Sequence, residues 1–204
     1  MTDFNQAAAS WDENPERRKR SEEVAQAILA HTSITKSTVL LEFGCGSGVI
    51  SLYLCPHLHA VIAADTAEEM LSVVHKKAAE SLHINIETLH LKGVPGEYLP
   101  PCDLIASSMT LHHIEDLPEL FGRFHQALPP GGMVALADLD AEGGLFHPDP
   151  AGVFHNGFEH AELEGWLRAA GFSKIRFHQA SQMRKLAADG VERAFSIFLV
   201  VAEK

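Results

Sequence analysis

Apolar runs and helix-like segments alternate from about residue 38 to the end of this 204-residue chain. The apolar runs are short, which favours buried strands, and most of the stretches between them have helical spacing. This alternation indicates a doubly wound α/β fold, in which helices cover both faces of a mostly parallel sheet. Seven strands are predicted, at residues 38–43, 60–64, 84–91, 103–107, 133–139, 174–178 and 195–201.

The connection between the last two predicted strands differs from the others. Residues 179–193 contain no convincing crossover helix. Parallel neighbours need such a crossover, so we expect the last two strands to pair antiparallel at one edge of the sheet. Capping signals mark three helix starts: Asn14 before a proline, a box formed by Thr66 and Glu69, and Asp116.

Composition limits the class of protein. The length suits one domain, residues 1–204. No run approaches the roughly 18 apolar residues of a membrane span, and the polar first thirty residues do not resemble a secretory signal. We therefore expect a soluble, cytoplasmic protein with no membrane partner and with reduced cysteines. The formal net charge of −11 would repel a polyanion, which argues against a nucleic-acid partner.

Residues 1–37 precede the first predicted strand, and residues 38–204 form the predicted core. The first segment contains one amphipathic helix with Val24, Ile28 and Leu29 on its apolar face. We expect it to lie outside the core sheet and to act as a helical lid. In an open α/β sheet such a lid can fold over the carboxyl ends of the strands, where ligands bind.

The stretch LEFGCGSGVISL, residues 41–52, forms a glycine turn between the first strand and a helix. Asp65 follows at the end of the second strand, about 20 residues on, where a carboxylate can accept hydrogen bonds from ribose hydroxyls. A dinucleotide fingerprint would need glycine where Val49 stands, and Glu42 would oppose a phosphate. These residues favour an adenosine ligand that carries an ammonium group.

Five segments together resemble the class I S-adenosylmethionine-dependent methyltransferases of the small-molecule type. They are LEFGCGSG, VIAADTAEEML, PPCDLIASSMTLHHIED, LPPGGMVALAD and HNGFEHAELEGWLRAAGF, in the family's order. The resemblance spans residue 4 to about residue 178 and implies a Rossmann-like fold that binds S-adenosylmethionine. The acidic Asp-Pro-Pro-aromatic signature of nucleic-acid amino methyltransferases is missing, which favours a small-molecule acceptor.

The resemblance also implies a cofactor site. Glu42 would lie near the methionine amino group, Asp65 would hold the ribose, and Ser107 or Ser108 would line the pocket beside the methionine moiety. The rest of the implied cofactor site consists of Gly44, Cys45, Gly46, Gly48 and Thr66. Glu42 has an alternative, purely structural role, because an acid at a strand end can instead accept hydrogen bonds from nearby amides and contact no ligand.

Two further implications concern the lid and the adenine. Phe4 and Trp11 would belong to the lid; Trp11 could stack on the acceptor or the sulfonium, or it could simply pack beside the helix that follows. Many relatives place an aspartate where Val94 stands here, so the adenine must be recognised by backbone groups, by Glu97 or by a shifted loop.

Four histidines are candidates for the acceptor side, all predicted near the carboxyl end of the sheet. His112 and His113 are the candidate general bases, and His147 and His155 the candidate substrate contacts. Each could instead only order its loop or be exposed. A metal bound by the first pair with neighbouring acids is disfavoured, since adjacent residues rarely converge on one ion, so no metal is predicted.

The sequence thus predicts methyl transfer to a small molecule by in-line displacement, which depends mainly on positioning. The alternative is a non-catalytic cofactor- or partner-binding protein with the same fold, motivated by the change at Val94. A third hypothesis, an NAD-dependent oxidoreductase, is disfavoured by Val49.

Overall fold

A computed structural model describes residues 3–82 and 85–204. The strands are β1 (Val39–Phe43), β2 (Ala60–Asp65), β3 (Ile86–His90), β4 (Leu104–Ser108), β5 (Met133–Leu139), β6 (Ser173–Leu186) and β7 (Glu192–Glu203). The helices are α1 (Phe4–Ala7), α2 (Pro15–His31), α3 (Val49–Leu54), α4 (Glu68–Glu80), α5 (Leu117–Ala127) and α6 (His160–Ala169). Short 3₁₀ helices cover Ala8–Glu13, Cys55–His57 and Leu111–His113.

The seven strands form one sheet in the order β3-β2-β1-β4-β5-β7-β6. The first five strands pair in parallel, and β7 pairs antiparallel with both β5 and β6. The doubly wound, mostly parallel sheet is therefore confirmed, as is the antiparallel pairing of the last two strands at one edge. The strand order reverses between β1 and β4, which creates the crevice where ligands bind in such sheets.

The hairpin formed by β6 and β7 is much longer than predicted. Residues 179–186 and 192–194, predicted to be a connection, continue the two strands, and only residues 187–191 form the turn. Charged residues occupy the outer halves of both strands, such as Lys185 opposite Arg193, and hide the strand pattern in the sequence. The other predicted bounds agree to within two residues wherever they can be compared; the predicted start of β3, residue 84, lies outside the described residues.

Helix capping follows the prediction at two of three sites. The side chain of Asn14 accepts from the amides of Glu16 and Arg17, and Asp116 accepts from the amide of Glu119. The predicted box of Thr66 and Glu69 is wrong. α4 has Ala67 at its N-cap, and its first amides are bonded by side chains from elsewhere: Ala67 by Asp65, and Glu69 by Asn5.

One apolar cluster lies on each face of the sheet. The first is built around Phe121, Phe124 and Phe198. The second includes Leu40 and Leu104 of the sheet and the fully buried Ile28 of α2. α2 therefore packs as a covering layer of the sheet, because its apolar stripe is buried there. No helix within residues 3–82 and 85–204 is long and apolar enough to cross a membrane.

Candidate functional site

The glycine turn joins β1 to α3 at the crevice. Gly44, Gly46 and Gly48 all have positive φ, at 71°, 50° and 76°, a conformation that disfavours other residues. A Cβ on Gly44 would come within 2.4 Å of Thr110, and one on Gly48 within 2.7 Å of Val74, whereas one on Gly46 would meet nothing within 4 Å. The turn is thus packed at both ends and open in the middle.

Asp65 lies at the end of β2 and contacts this turn. One carboxylate oxygen accepts from the amide of Gly46 at 2.8 Å, and the other accepts from the amide of Ala67 at 2.9 Å. The side chain is only partly buried, and each oxygen keeps a further lone pair. Asp65 can therefore accept from a ligand while it fixes the open part of the turn. Thr66, next along the chain, is exposed.

Glu42 is buried below the turn, with 2% of its surface exposed. It accepts hydrogen bonds from the amide of Ser51 at 2.9 Å and from the Ser51 hydroxyl. Burial raises the pKa of Glu42 to about 8 against the opposing effect of the bonds from Ser51. The contact is the one that the alternative interpretation expects, a strand-end acid bonded to nearby groups.

Ser107, Ser108 and Cys45, which were also predicted to belong to the cofactor site, differ in their burial. Ser107 is fully buried, and its hydroxyl donates to the carbonyl of Phe43 at 2.8 Å, so its side chain ties β4 to β1. Of the two serines predicted to line the pocket, Ser107 has its hydroxyl engaged between the strands. Ser108 is only partly buried. Burial raises the pKa of Cys45 well above its ordinary value, which keeps this thiol neutral inside the turn.

Thr110 connects the glycine turn to the histidine loop. Its hydroxyl donates to the carbonyl of Ser108 at 3.1 Å or of Gly44 at 3.3 Å. The preceding residue, Met109, has a φ of 54°, a left-handed conformation that is unusual for a residue other than glycine. The chain leaves β4 through this sharp bend, which carries His112 toward the crevice.

His112 forms a buried pair with Asp138 of β5. Its Nδ1 lies 2.7 Å from Asp138 Oδ1, and the backbone amide of His112 donates to the other oxygen at 3.3 Å. His112 is 1% exposed and Asp138 is fully buried. Asp138 was not among the predicted site residues, although an isolated carboxylate in the apolar strand MVALADL was a signal that it has a specific partner.

His113 and His147 surround this pair. Their rings lie 4.1 Å and 5.0 Å from the His112 ring, between centroids. His113 Nδ1 donates to the carbonyl of Gly152 at 2.6 Å, so the other nitrogen of this neutral ring is an acceptor. Burial and the neighbouring His112 lower the pKa of His113. Burial, followed by His112 and His113, lowers the pKa of His147 to about 4, and its Nε2 has no hydrogen-bond partner among the described residues.

His155, the fourth candidate histidine, has different ring contacts. Its Nε2 lies 2.9 Å from the carbonyl of Ile114, and its ring packs against Phe158 and Trp166. Its backbone amide donates to the carbonyl of His112 at 3.3 Å. These contacts match the alternative role, in which His155 orders its loop, and the substrate contact stays a prediction.

Residues 4–13 lie across the turn and the histidine loop. The Ser47 hydroxyl donates to Asp12 at 2.6 Å, and Lys77 of α4 binds both Asp12 and the Ser47 carbonyl. Phe4 contacts His113 edge to face, with 5.7 Å between centroids. Asp12 and Lys77 were not among the predicted site residues, since residues 65 positions apart carry no joint sequence pattern.

Trp11 lies in the same segment, 5.7 Å from Phe4 between centroids, and its ring face is covered by Arg17 at 4.2 Å. In the loop after β3, Val94 is 48% exposed. Glu97 accepts from the amides of Lys92 and Gly93 at 2.8 Å and 3.1 Å. The Glu97 carboxylate thus orders its own loop, and the partner of the adenine stays a prediction.

Comparison with known proteins gives the family. The chain matches the family described as "Methyltransferase domain" over residues 16–194. It is 32% identical over 134 residues to an uncharacterised methyltransferase of Schizosaccharomyces pombe, a match that covers 58% of this chain and 47% of that protein. It is 27% identical to a malonyl-(acyl-carrier protein) O-methyltransferase of Hamiltonella defensa, over 67% of this chain and 50% of that protein.

A third relative is phosphoethanolamine N-methyltransferase 3 of Arabidopsis thaliana, 28% identical over 78% of this chain and 34% of that protein. The chain spans half the length or less of these three relatives.

Solved structures share the fold. YcgJ of Bacillus subtilis aligns with a TM-score of 0.73 and 14% identity, over 89% of this chain and 97% of that one. The phosphoethanolamine N-methyltransferase 2 of Haemonchus contortus, solved with S-adenosyl-L-methionine, aligns with a TM-score of 0.73 and 16% identity, over 100% of this chain and 60% of that one. Because the family match covers most of its length, this chain belongs to the class I methyltransferase-domain family, whose cofactor is S-adenosylmethionine.

Proposed function

We propose that this chain transfers a methyl group from S-adenosylmethionine to a small-molecule acceptor. The observation that carries the proposal is the link through Thr110, which holds the glycine turn against the loop that ends in the buried pair of His112 and Asp138. A nucleotide-type turn and a histidine set thus face one crevice. Two relatives are named for methylating a malonyl group and phosphoethanolamine, which supports a small acceptor.

The residues at the crevice fit this cofactor. The space beside Gly46 is open at a position where a ligand can approach the backbone, and Asp65 keeps free lone pairs next to it. Glu42 lies below the turn, where a ligand ammonium would favour its ionised form. When bound, the cofactor supplies an electrophilic methyl group.

The histidines can manage the proton of the acceptor. Asp138 engages Nδ1 of His112 and holds that nitrogen as the donor, which leaves Nε2 as the nitrogen that can accept a proton. His113 is held in the same tautomer by the Gly152 carbonyl, and its lowered pKa keeps it neutral near pH 7. We infer that His112 is the general base and that His113 and His147 line the acceptor cavity.

The N-terminal segment completes the site. Residues 4–13 bridge Ser47 of the turn and His113 of the acceptor side, while α2 is buried against the sheet. We infer that residues 1–37 and the core work as one methyltransferase domain and that residues 4–13 exclude water over the crevice.

A screen for methyl transfer tests this function. The chain is incubated with S-adenosylmethionine and a panel of O-, N- and S-acceptors, and S-adenosylhomocysteine is measured. We expect cofactor-dependent turnover of at least one acceptor class that is lost in Asp65→Ala. Cofactor binding without turnover across the panel would favour the non-catalytic alternative, and tighter binding of NAD than of S-adenosylmethionine would favour an oxidoreductase.

A further inference from the structure

Three cations meet beside the histidines at the interface of α2 and β6. Ser181 of β6 donates to Glu23 of α2 at 2.6 Å, and Arg20 donates to the sulfur of Met183 at 3.4 Å. Moving from Glu23 to Arg20, toward the start of α2, thus corresponds to moving two residues along β6, from Ser181 to Met183. The same progression places Arg17 on the side of Lys185, and Arg17 is one of the charges that lower the pKa of Lys185.

Each of these cations also has a contact that locates it relative to the site. Arg17 lies over the ring of Trp11, 4.2 Å from its centroid. The Lys185 ammonium lies 4.0 Å from the centroid of Phe146 and donates to the Phe146 carbonyl at 2.7 Å. Phe146 in turn contacts His147 edge to face, 4.8 Å between centroids. The group formed by Arg17, Arg20 and Lys185, here the cation cluster, therefore borders the acceptor side of the crevice.

The cation cluster lacks acidic partners. Among residues 3–82 and 85–204, no carboxylate lies within ion-pair distance of any of its three members. Two acids raise pKa values in the cluster, Asp138 that of Arg20 and Glu142 that of Lys185. Both have other partners: Asp138 binds His112, and Glu142 accepts from the amides of Leu145 and Phe146. All three cations are partly buried in a chain whose net charge is −11.

The pKa directions agree with positive charges that lie close together. Burial and then Arg17 lower the pKa of Arg20, and burial, Arg20 and Arg17 lower the pKa of Lys185. Partly buried like charges that repel one another are unfavourable unless an anion joins them. A guanidinium has five N–H donors in a planar fork that suits a carboxylate or a phosphate, yet within residues 3–82 and 85–204 the side chain of Arg20 donates to a thioether.

We propose that the cation cluster binds an anionic group of the methyl acceptor, a carboxylate or a phosphate, and so sets the acceptor against the three histidines. This inference rests on the proposed function and adds a substrate class to it. The bound anion would relieve the repulsion within the cluster, and bidentate contacts from arginine would fix its orientation.

Calorimetry on the full chain tests the proposal. Inorganic phosphate and malonate are titrated separately at constant ionic strength into protein saturated with S-adenosylhomocysteine, so that a site for the cofactor's own carboxylate is already filled. We expect saturable binding of at least one anion. Arg20→Gln and Lys185→Gln should each weaken it about tenfold or more, as the loss of a charged hydrogen bond implies.

Arg18→Gln is the matched control. It removes the same charge from α2, but Arg18 is exposed and paired with Glu22. It should change anion binding less than about twofold, as expected for screened surface charge. Tighter binding of phosphate than of malonate would indicate a phosphorylated acceptor, and the reverse order would indicate a carboxylate.

Two results would overturn the proposal: no saturable binding of either anion, or binding that Arg20→Gln and Lys185→Gln leave unchanged. Binding of S-adenosylhomocysteine to each variant shows whether that variant folds. If the cluster fails this test while neutral or cationic acceptors are turned over, only the anion subsite is refuted. If the anions bind but no acceptor is methylated, the proposed function fails instead.

Discussion

His112 Nδ1 lies 2.7 Å from Asp138 Oδ1 in a fully buried pair that crosses from the loop after β4 to β5. Asp138→Asn would keep the shape, but an NH2 group would replace one carboxylate oxygen. Facing Nδ1, this group would donate there, leave Nε2 protonated and lose the bond from the Leu139 amide; facing the backbone amide of His112, it would lose that bond instead. In either orientation the negative charge that stabilises protonated His112 is removed. We expect kcat to fall by about 10²–10⁴, the usual range for general acid–base catalysis.

Steady-state kinetics with a functional acceptor checks this expectation. Affinity for S-adenosylmethionine should stay within about threefold, because Asp138 lies away from the glycine turn. An unchanged kcat in Asp138→Asn would show that the pair only orders the loop.

Asp65→Ala should weaken S-adenosylmethionine binding severely, by about tenfold or more. The change removes the proposed ribose acceptor and also releases the amide of Gly46. Isothermal titration measures the effect, and Glu68→Ala is a suitable control, since Glu68 is an exposed acid nearby in the first turn of α4. Undiminished binding by Asp65→Ala would contradict the ribose assignment.

Glu42 should make stability depend on pH. Because burial raises its pKa to about 8, the folded chain keeps a proton that the unfolded chain loses at the ordinary carboxyl pKa. The stabilising effect of that proton is complete on the acid side and decreases as pH rises through the window that ends near 8. Urea unfolding from about pH 5 to about pH 8 should show this loss in the wild type.

Glu42→Gln is the matched comparison, because glutamine keeps an acceptor for Ser51 and does not titrate. Its free energy of unfolding should depend less on pH over the same window. The cofactor ammonium should also ionise Glu42, so binding near pH 7 should release up to about one proton in the wild type and none from this site in the variant. Equal proton release would assign Glu42 to the structural contact alone.

Gly46 and Gly48 give a paired test of the turn. Both have positive φ, so alanine costs backbone energy of about 1–2 kcal/mol at either position. Only at Gly48 would the new Cβ clash with Val74, whereas at Gly46 it would project into open space. Gly46→Ala should lose cofactor affinity with a modest fall in Tm, and Gly48→Ala should lose more Tm. A larger fall in Tm for Gly46→Ala than for Gly48→Ala would contradict the assignment of the open side of the turn to Gly46.

Local patterns predicted most of the fold because each strand carries its own signal. The parallel strands β1, β2, β4 and β5 are apolar runs, and their predicted bounds agree with the structure to within one residue. β6 and β7 were too short in the prediction because their outer halves form a largely exposed hairpin whose charged residues interrupt the apolar pattern. The capping box at Thr66 failed because Asn5, distant in sequence, supplies the bond to Glu69.

By itself, the sequence determined the α/β alternation, the glycine turn and Asp65, because these depend on residues near one another in the chain. Only the tertiary structure decided the partners of the buried polar groups. Asp138 binds His112, Asp12 binds Ser47, and the cation cluster forms where α2 packs on β6. Such contacts join residues far apart in sequence, and a buried charge or polar group takes whichever partner the packed fold brings within hydrogen-bond reach.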